Sequence, residues 1–371
     1  MTKITLTDLA ESLPSTVPFI GPEAQERSME KAFKARLGAN ESIFGPSPLA
    51  IAAMKNATSE VWKYGDPENH DLRQGLALHH GIDPEHIIIG EGIDGLLAYL
   101  VRLLLEPGTP VVTSAGAYPT FNFHVKGYGG NLQTVPYSND HEDPEALISK
   151  ASAVSAKMIY LANPDNPMGS WHTAGVINDL INRLPKSTLL VLDEAYVELA
   201  PDGTAPEIRP DIQNVIRMRT FSKAYGLAGA RVGYAIGPKN LIKAFDKVRN
   251  HFGVSRISQI GALAALKDRE YSEIIKEKVC VSRDRISDIA QINGLNALPS
   301  AANFVSIDCG HNGNFAREVL RRLLAEGIFI RMPSMPPLDR CIRVSCGDVK
   351  EMEAFSRALP KALKGARSVF S

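Results

Sequence analysis

Lys223 stands in a run of small residues, Ser222-Lys223-Ala224-Tyr225-Gly226-Leu227-Ala228-Gly229-Ala230-Arg231, with an arginine eight positions on. A lysine amine can condense with a carbonyl to form a Schiff base once it has lost its extra proton. Partial burial and a neighbouring arginine lower the pKa toward that state. The apolar segment before it ends at Thr220-Phe221-Ser222, which puts the amine past a strand's carboxyl end, where open α/β sheets place ligands. Asp193 closes the apolar run Leu189-Leu190-Val191-Leu192. A carboxylate there needs a partner, either a ligand or the start of a helix. Glu194 follows without an assigned role, and Tyr196 comes three residues after Asp193. Asn166 lies between prolines in Asn163-Pro164-Asp165-Asn166-Pro167-Met168-Gly169, a restricted loop that would hold a side-chain amide in one orientation. Gly90-Glu91-Gly92-Ile93-Asp94-Gly95 follows Ile87-Ile88-Ile89 and opens a helix. Free N–H groups at a helix start bind phosphate, and glycine allows close approach; an ordinary helix entry has the same signature.

Short apolar runs alternate with amphipathic stretches. Segments 87–89, 110–113, 158–161, 189–192, 215–218 and 232–236 read as strands, and they lack strict alternation, which predicts cover on both faces. Helical patterns lie at 94–105, 144–151, 173–184 and 241–250. This βαβ rhythm predicts an α/β fold with a mostly parallel sheet between helices. A long amphipathic helix is expected from about Ser258 to Asn293, with a break near Asp268. Beyond it, strands at 304–308, 329–331 and 341–345 and a helix at 315–326 form an α+β tail. Two domains follow: a large one over 36–250, and a small one from 1–35 and 251–371. Pro333-Ser334-Met335-Pro336-Pro337 is a loop.

The chain has 371 residues, 44% hydrophobic and 22% charged, as in ordinary globular proteins. Lys+Arg and Asp+Glu are both 41, giving a formal net charge of zero. That argues against a binder of nucleic acid or an anionic membrane, and the weak colloidal repulsion is compatible with self-association. The N-terminal stretch has no signal-peptide core, and no apolar run has the length of a membrane span. The four cysteines, Cys280, Cys309, Cys341 and Cys346, form no metal-binding spacing, so no metal site is expected and free thiols are. A cytoplasmic location is the expectation.

In that order, the Asn-Pro-Asp-Asn-Pro-Met-Gly, Asp-Glu-Ala-Tyr and Ser-Lys-x-Tyr-Gly-Leu-Ala-Gly-Ala-Arg segments resemble the pyridoxal-phosphate (PLP) aminotransferases of fold type I. The histidinol-phosphate aminotransferases look like the nearest branch. The resemblance runs from about Gly38 to Gly347 and implies a seven-stranded-type sheet in the large domain. It implies that Lys223 tethers PLP and moves protons, that Asp193 pairs with the pyridinium nitrogen, and that Tyr196 and Asn166 hold the cofactor's phenolate oxygen. Backbone amides of Gly92, Ile93 and Asp94 would cradle the phosphate, with Ser222 and Arg231 adding side-chain donors. Relatives often carry a small polar residue where Ile93 stands. Phe121 would stack on the ring. Tyr64 would reach the partner subunit's phosphate site, making the working unit a homodimer. Arg343 would bind the donor's α-carboxylate, Arg331 the substrate's distal group, and the Asn40 backbone would line the carboxylate site.

The implied reaction is a ping-pong transfer between an amino donor and a 2-oxo acid such as 2-oxoglutarate. Phe19, in Val17-Pro18-Phe19-Ile20, takes the place of a tyrosine that helps hold the substrate phosphate in the branch. Its missing hydroxyl and the apolar 334–337 run leave histidinol phosphate or an aromatic or hydrophobic amino acid as donor. The alternatives are a decarboxylase of an O-phospho amino acid on the same scaffold, a PLP-binding effector module of a transcription regulator, and a nicotinamide-dependent dehydrogenase. No spare N-terminal domain is seen for the regulator, and no Gly-x-Gly-x-x-Gly opening for the dehydrogenase.

Overall fold

The computed structural model describes residues 4–15 and 20–370. Its strands, in chain order, begin with β1 (Ala35–Arg36), β2 (Ile87–Gly90), β3 (Pro110–Ser114) and β4 (Asn131–Val135). Next come β5 (Met158–Ala162), β6 (Leu189–Asp193), β7 (Val215–Thr220) and β8 (Gly233–Ile236). The last are β9 (Asn296–Ala297), β10 (Phe304–Asp308), β11 (Ile328–Phe329) and β12 (Cys341–Ser345). The central sheet has seven strands in the order β2-β8-β7-β6-β5-β3-β4. Only β8 runs against its neighbours, β2 and β7; the other pairs are parallel.

Continuous burial along β5, β6 and β7 is what apolar runs without alternation require. One core cluster packs helix Gly92–Leu104 and Phe121 onto one face of the sheet, and another packs helices Pro144–Val154 and Ala174–Asn182 onto the other. Because the strands are parallel, β2, β3, β5, β6 and β7 end at the same sheet edge. The loops that follow them therefore bring Gly92, Tyr118, Asn166, Asp193 and Lys223 to one place.

The expected long helix is two, Arg256–Lys267 and Arg269–Ile292, divided at Asp268, whose carboxylate caps the second by accepting from Tyr271 N–H. The expected helix 241–250 is shorter, Lys239–Ala244, and tightens into a 3₁₀ turn at Phe245–Lys247. The expected strand 329–331 is Ile328–Phe329, paired in parallel with β1, while Arg331 makes an isolated bridge to Arg343. A second sheet, β12-β10-β9, is antiparallel. Strand β10 places Phe304 opposite Ser345 and Ser306 opposite Arg343. The closing helix Val349–Phe370 packs its apolar face on this part of the chain.

Candidate active site

A cavity of about 700 Å³ opens at the shared strand edge, lined by Lys223, Asp193, Asn166, Tyr196, Ser222 and Arg231, with Arg331 and Arg343 on its far wall. Lys223 Nζ donates to the backbone oxygen of Asn40 at 3.0 Å and lies 5.6 Å from the centre of the Tyr196 ring. Burial pushes the amine down to about 8, and the charge of Arg343 adds to it. Glu41 and Asp193 pull the other way, and Arg231 contributes less than Arg343. The arginine that chiefly tunes the lysine is thus 120 residues away in sequence, not the one eight positions on.

Asp193 is the last residue of β6. Its Oδ2 accepts from the Tyr160 hydroxyl at 2.6 Å and its Oδ1 from Ala195 N–H at 2.9 Å. Burial raises the carboxyl to about 6, against the lowering effect of both hydrogen bonds and of Lys223. Glu194 points to the opposite face, as strand alternation demands. There it accepts from Arg217 Nε and Arg219 Nε, each at 2.9 Å, which makes it a buried ion-pair centre rather than part of the cavity.

The Asn-Pro loop follows β5. Asn166 Nδ2 donates to the Tyr196 hydroxyl at 3.3 Å, its Oδ1 accepts from Arg343 Nη1, and Asn40 Nδ2 donates to the same hydroxyl at 3.1 Å. Asp165 holds the loop from behind, accepting from the Tyr137 hydroxyl at 2.9 Å and Met168 N–H at 3.0 Å. Burial raises the Tyr196 phenol above its ordinary range.

Gly92 opens helix Gly92–Leu104 with φ +76°, and a Cβ there would lie 2.4 Å from Arg231 Nη2. Only glycine accommodates both the conformation and the contact. The helix has no side-chain cap, which leaves its first N–H groups without a side-chain acceptor from the capping residue. Arg231 Nη1 donates to Ala228 O at 2.9 Å and Ser222 Oγ at 3.4 Å. Ile93 and Asp94 line the cavity, and Asp94 also accepts from His124 at 2.8 Å. A cationic, donor-rich pocket results beside the amine.

The expectation for Phe121 is corrected. Phe121 is fully buried in the core and stacks on Tyr160, with ring centres 4.5 Å apart; it does not line the cavity. Tyr118, three residues earlier, does. The helix that starts at Pro119 turns Phe121 inward onto the sheet and leaves Tyr118 at the rim. Tyr64 is also outside the cavity, 77% exposed, with its ring 4.8 Å from Phe252. Phe19 lies outside the described residues.

Arg331 and Arg343 exchange backbone hydrogen bonds, 3.3 Å and 2.7 Å, which sets both guanidiniums on one wall. Arg343 Nη2 donates to Gly38 O at 3.2 Å, and burial lowers its pKa to about 10. Arg331 is lowered by burial as well, and its Nη2 donates to Ile20 O at 2.9 Å. Two partly buried cations on one wall favour an anionic ligand. Sequence reasoning missed Tyr118, Tyr160, Asn303 and Ser345. The last two reach Asn40 from 263 and 305 positions away, a separation no local pattern reveals.

Comparison with known proteins agrees with this geometry. Residues 34–359 match the family model for aminotransferase class I and II. The chain is 32% identical to a histidinol-phosphate aminotransferase of Moorella thermoacetica, over 97% of this chain and 94% of that one. It is 35% identical to histidinol-phosphate aminotransferase 2 of Carboxydothermus hydrogenoformans, covering 95% and 98%. The crystal structure of histidinol-phosphate aminotransferase from Sinorhizobium meliloti in complex with pyridoxal-5'-phosphate superposes with a TM-score of 0.96, at 52% identity, covering 98% of this chain and 99% of that one. The decarboxylase alternative finds no support in these likenesses.

Proposed function

The chain belongs to the class I and II aminotransferases, and from that premise we propose that it transfers the amino group of histidinol phosphate to a 2-oxo acid, with Lys223 as the reactive amine. The activity class is PLP-dependent transamination on fold type I. One observation carries the assignment of residues: an amine with a lowered pKa, a buried carboxylate and an arginine-backed helix N-terminus meet in one cavity. That donor set fits PLP. The Gly92–Asp94 amides, Ser222 and Arg231 suit its phosphate, Asp193 its ring nitrogen, Tyr196 and Asn166 its ring oxygen, and Lys223 its aldehyde. Tyr118 takes the ring-facing place first given to Phe121.

Bound PLP supplies an electron-withdrawing ring that acidifies the substrate's Cα–H. Asp193 stays ionised near pH 7, above its raised pKa of about 6, and so favours a protonated ring nitrogen. Lys223, at about 8, exists partly as the neutral amine, which lets Nζ take a proton at Cα and later return one. Arg343 orients an α-carboxylate, as on glutamate or 2-oxoglutarate. Arg331 faces the distal phosphate, and the Asn40 backbone walls the carboxylate site. A 2-oxo acid or aldehyde product leaves before the acceptor enters, because both use the same wall.

The relatives' names support histidinol phosphate. The apolar wall of Met332 and Pro333 favours an aromatic amino acid as second donor. A panel of histidinol phosphate, phenylalanine and glutamate, with loss of the visible PLP band as readout, separates the two readings. Histidinol phosphate is expected to react with the highest kcat/KM, and Arg331→Met to raise its KM by at least about tenfold, the value of one charge-assisted contact. Equal or better turnover of phenylalanine, unaffected by Arg331→Met, would reject the phosphate-bearing donor.

A homodimer with shared sites is part of the same proposal. Tyr64 and the exposed Trp62 and Phe252 form an apolar surface that a second copy would cover, and Tyr64 would then reach the partner's phosphate pocket. We place the enzyme in the cytoplasm, a compartment consistent with four free thiols. Among the described residues no helix is long and apolar enough to cross a membrane, and no cluster of side chains could hold a metal ion.

A further inference from the structure

The Asn40 carbonyl accepts from two side chains. Lys223 Nζ donates to it at 3.0 Å, and Asn303 Nδ2 donates to it at the same distance. The rest of the residue is fixed by Ser345, whose Oγ donates to Asn40 Oδ1 at 2.9 Å and accepts from Asn40 N–H at 3.0 Å. Asn40, Asn303 and Ser345 are all buried. Asn40 also adopts φ +54°, a left-handed conformation that asparagine tolerates better than most residues. The reciprocal Ser345 bonds hold it there. Ser345 pairs with Phe304 across β12 and β10, and Asn303 immediately precedes Phe304, so both clamps come from one pair of strands. Arg343 sits two residues before Ser345 on β12.

We propose that Asn303 and Ser345 are positioning residues that hold the Asn40 carbonyl as the resting acceptor of the free Lys223 amine. A carbonyl oxygen has two lone pairs, so it can serve Asn303 permanently and the lysine when that amine is not engaged by cofactor. The dock keeps the ammonium hydrogen-bonded in a buried site, where an unpartnered charge is costly. It also keeps Nζ beside the Tyr196 ring, within the cavity. The clamp and the Arg343 guanidinium share a strand, so the carboxylate wall and the lysine dock have one support.

The inference rests on Lys223 being the reactive amine, and its test reads the lysine directly. The charged and titratable groups facing Nζ are Arg343, Glu41, Arg231, Asp193 and Tyr196; none is altered. In cofactor-free protein, the pKa of Lys223 is measured by competitive labelling with fluorodinitrobenzene against pH, read by peptide mass spectrometry. Ser345→Ala and Asn303→Ser are compared with Ser282→Ala. Ser282 bonds Gly347, its Oγ donating to the carbonyl oxygen at 3.0 Å and accepting from N–H at 3.1 Å, and it also bonds the Cys346 side chain; its loss matches the buried-hydroxyl loss without removing a bond to Asn40.

A released Asn40 carbonyl drifts from Nζ, and a weaker bond to the charged form lowers a lysine pKa. Each dock variant is expected to lower it by about half a unit, which raises labelling at pH 7 about threefold, while Ser282→Ala leaves it unmoved. If Ser345→Ala does not fold, Asn303→Ser carries the test. An unmoved pKa in the folded dock variants, or an equal shift in Ser282→Ala, overturns the proposal. PLP should protect wild-type Lys223 from label. Absence of protection would instead reject Lys223 as the reactive amine and leave the dock measurement readable.

Discussion

Replacing Asp193 by asparagine removes one negative charge while keeping nearly the same volume. Tyr160 and Ala195 hold the carboxylate at 2.6 and 2.9 Å. An amide oxygen can still accept one of these bonds, so the fold should survive. The loss is electrostatic. A pair of unit charges about 4 Å apart is worth about 4 kcal/mol at the effective dielectric of a partly buried site. The Asp193 carboxyl, raised to about 6 by burial, is poorly solvated, which keeps its effect near that value. If the charge acts mainly in the transition state, 4 kcal/mol corresponds to about a thousandfold in rate. The assay is a single-turnover reaction of PLP-loaded protein with its amino donor, followed by loss of the visible band, with circular dichroism to confirm folding. Asp193→Asn is expected to cut the rate about a thousandfold with a much smaller change in PLP affinity. A folded variant that loses less than about tenfold would refute the ring-nitrogen role. So would a loss confined to PLP binding.

Gly92→Ala should be destabilised by about 1–2 kcal/mol, because it forces a side chain into a left-handed residue, and should weaken PLP at least about tenfold by displacing Arg231. A melting curve and a PLP titration measure the two effects, and unchanged affinity would remove Arg231 from the phosphate site. The neutral fraction of Lys223, at about 8, grows as pH rises through that value. PLP association with the cofactor-free protein should therefore quicken about fivefold from pH 7 to 8 and level off above about 9; a flat profile in stopped-flow absorbance would contradict a lowered pKa. Tyr64→Phe should weaken PLP by about three- to tenfold, the worth of one hydrogen bond, and sedimentation should give a dimer. A monomer with full PLP affinity in this variant would end the shared-site proposal.

The sheet was legible where burial on both faces leaves a continuous apolar mark, as in Leu189–Asp193 and Met158–Ala162. Strand β4 was missed because it is an edge: Asn131, Gln133 and Thr134 interrupt the apolar pattern, and much of it is exposed. The chemistry-bearing residues at strand ends were readable because the βαβ rhythm states where each strand stops. Phe121 shows the limit of that reasoning. A turn locates an aromatic to within a few residues, but whether Tyr118 or Phe121 faces the cavity depends on the phase of the helix beginning at Pro119. Glu194 stood one residue from Asp193 without a role because its partners, Arg217 and Arg219, lie on the neighbouring strand. Asn303 and Ser345 were invisible for the same reason at longer range: a hydrogen bond across some 300 residues leaves no spacing to read.

The central claim is that Lys223 is the amine through which this aminotransferase works. PLP-loaded protein reduced with borohydride, digested and mapped by mass spectrometry tests it most directly. The expected result is a single pyridoxyl group on the peptide containing Lys223, absent when the cofactor is omitted and absent in Lys223→Ala. A pyridoxyl group on another lysine, or none on a protein that has bound PLP, would contradict it.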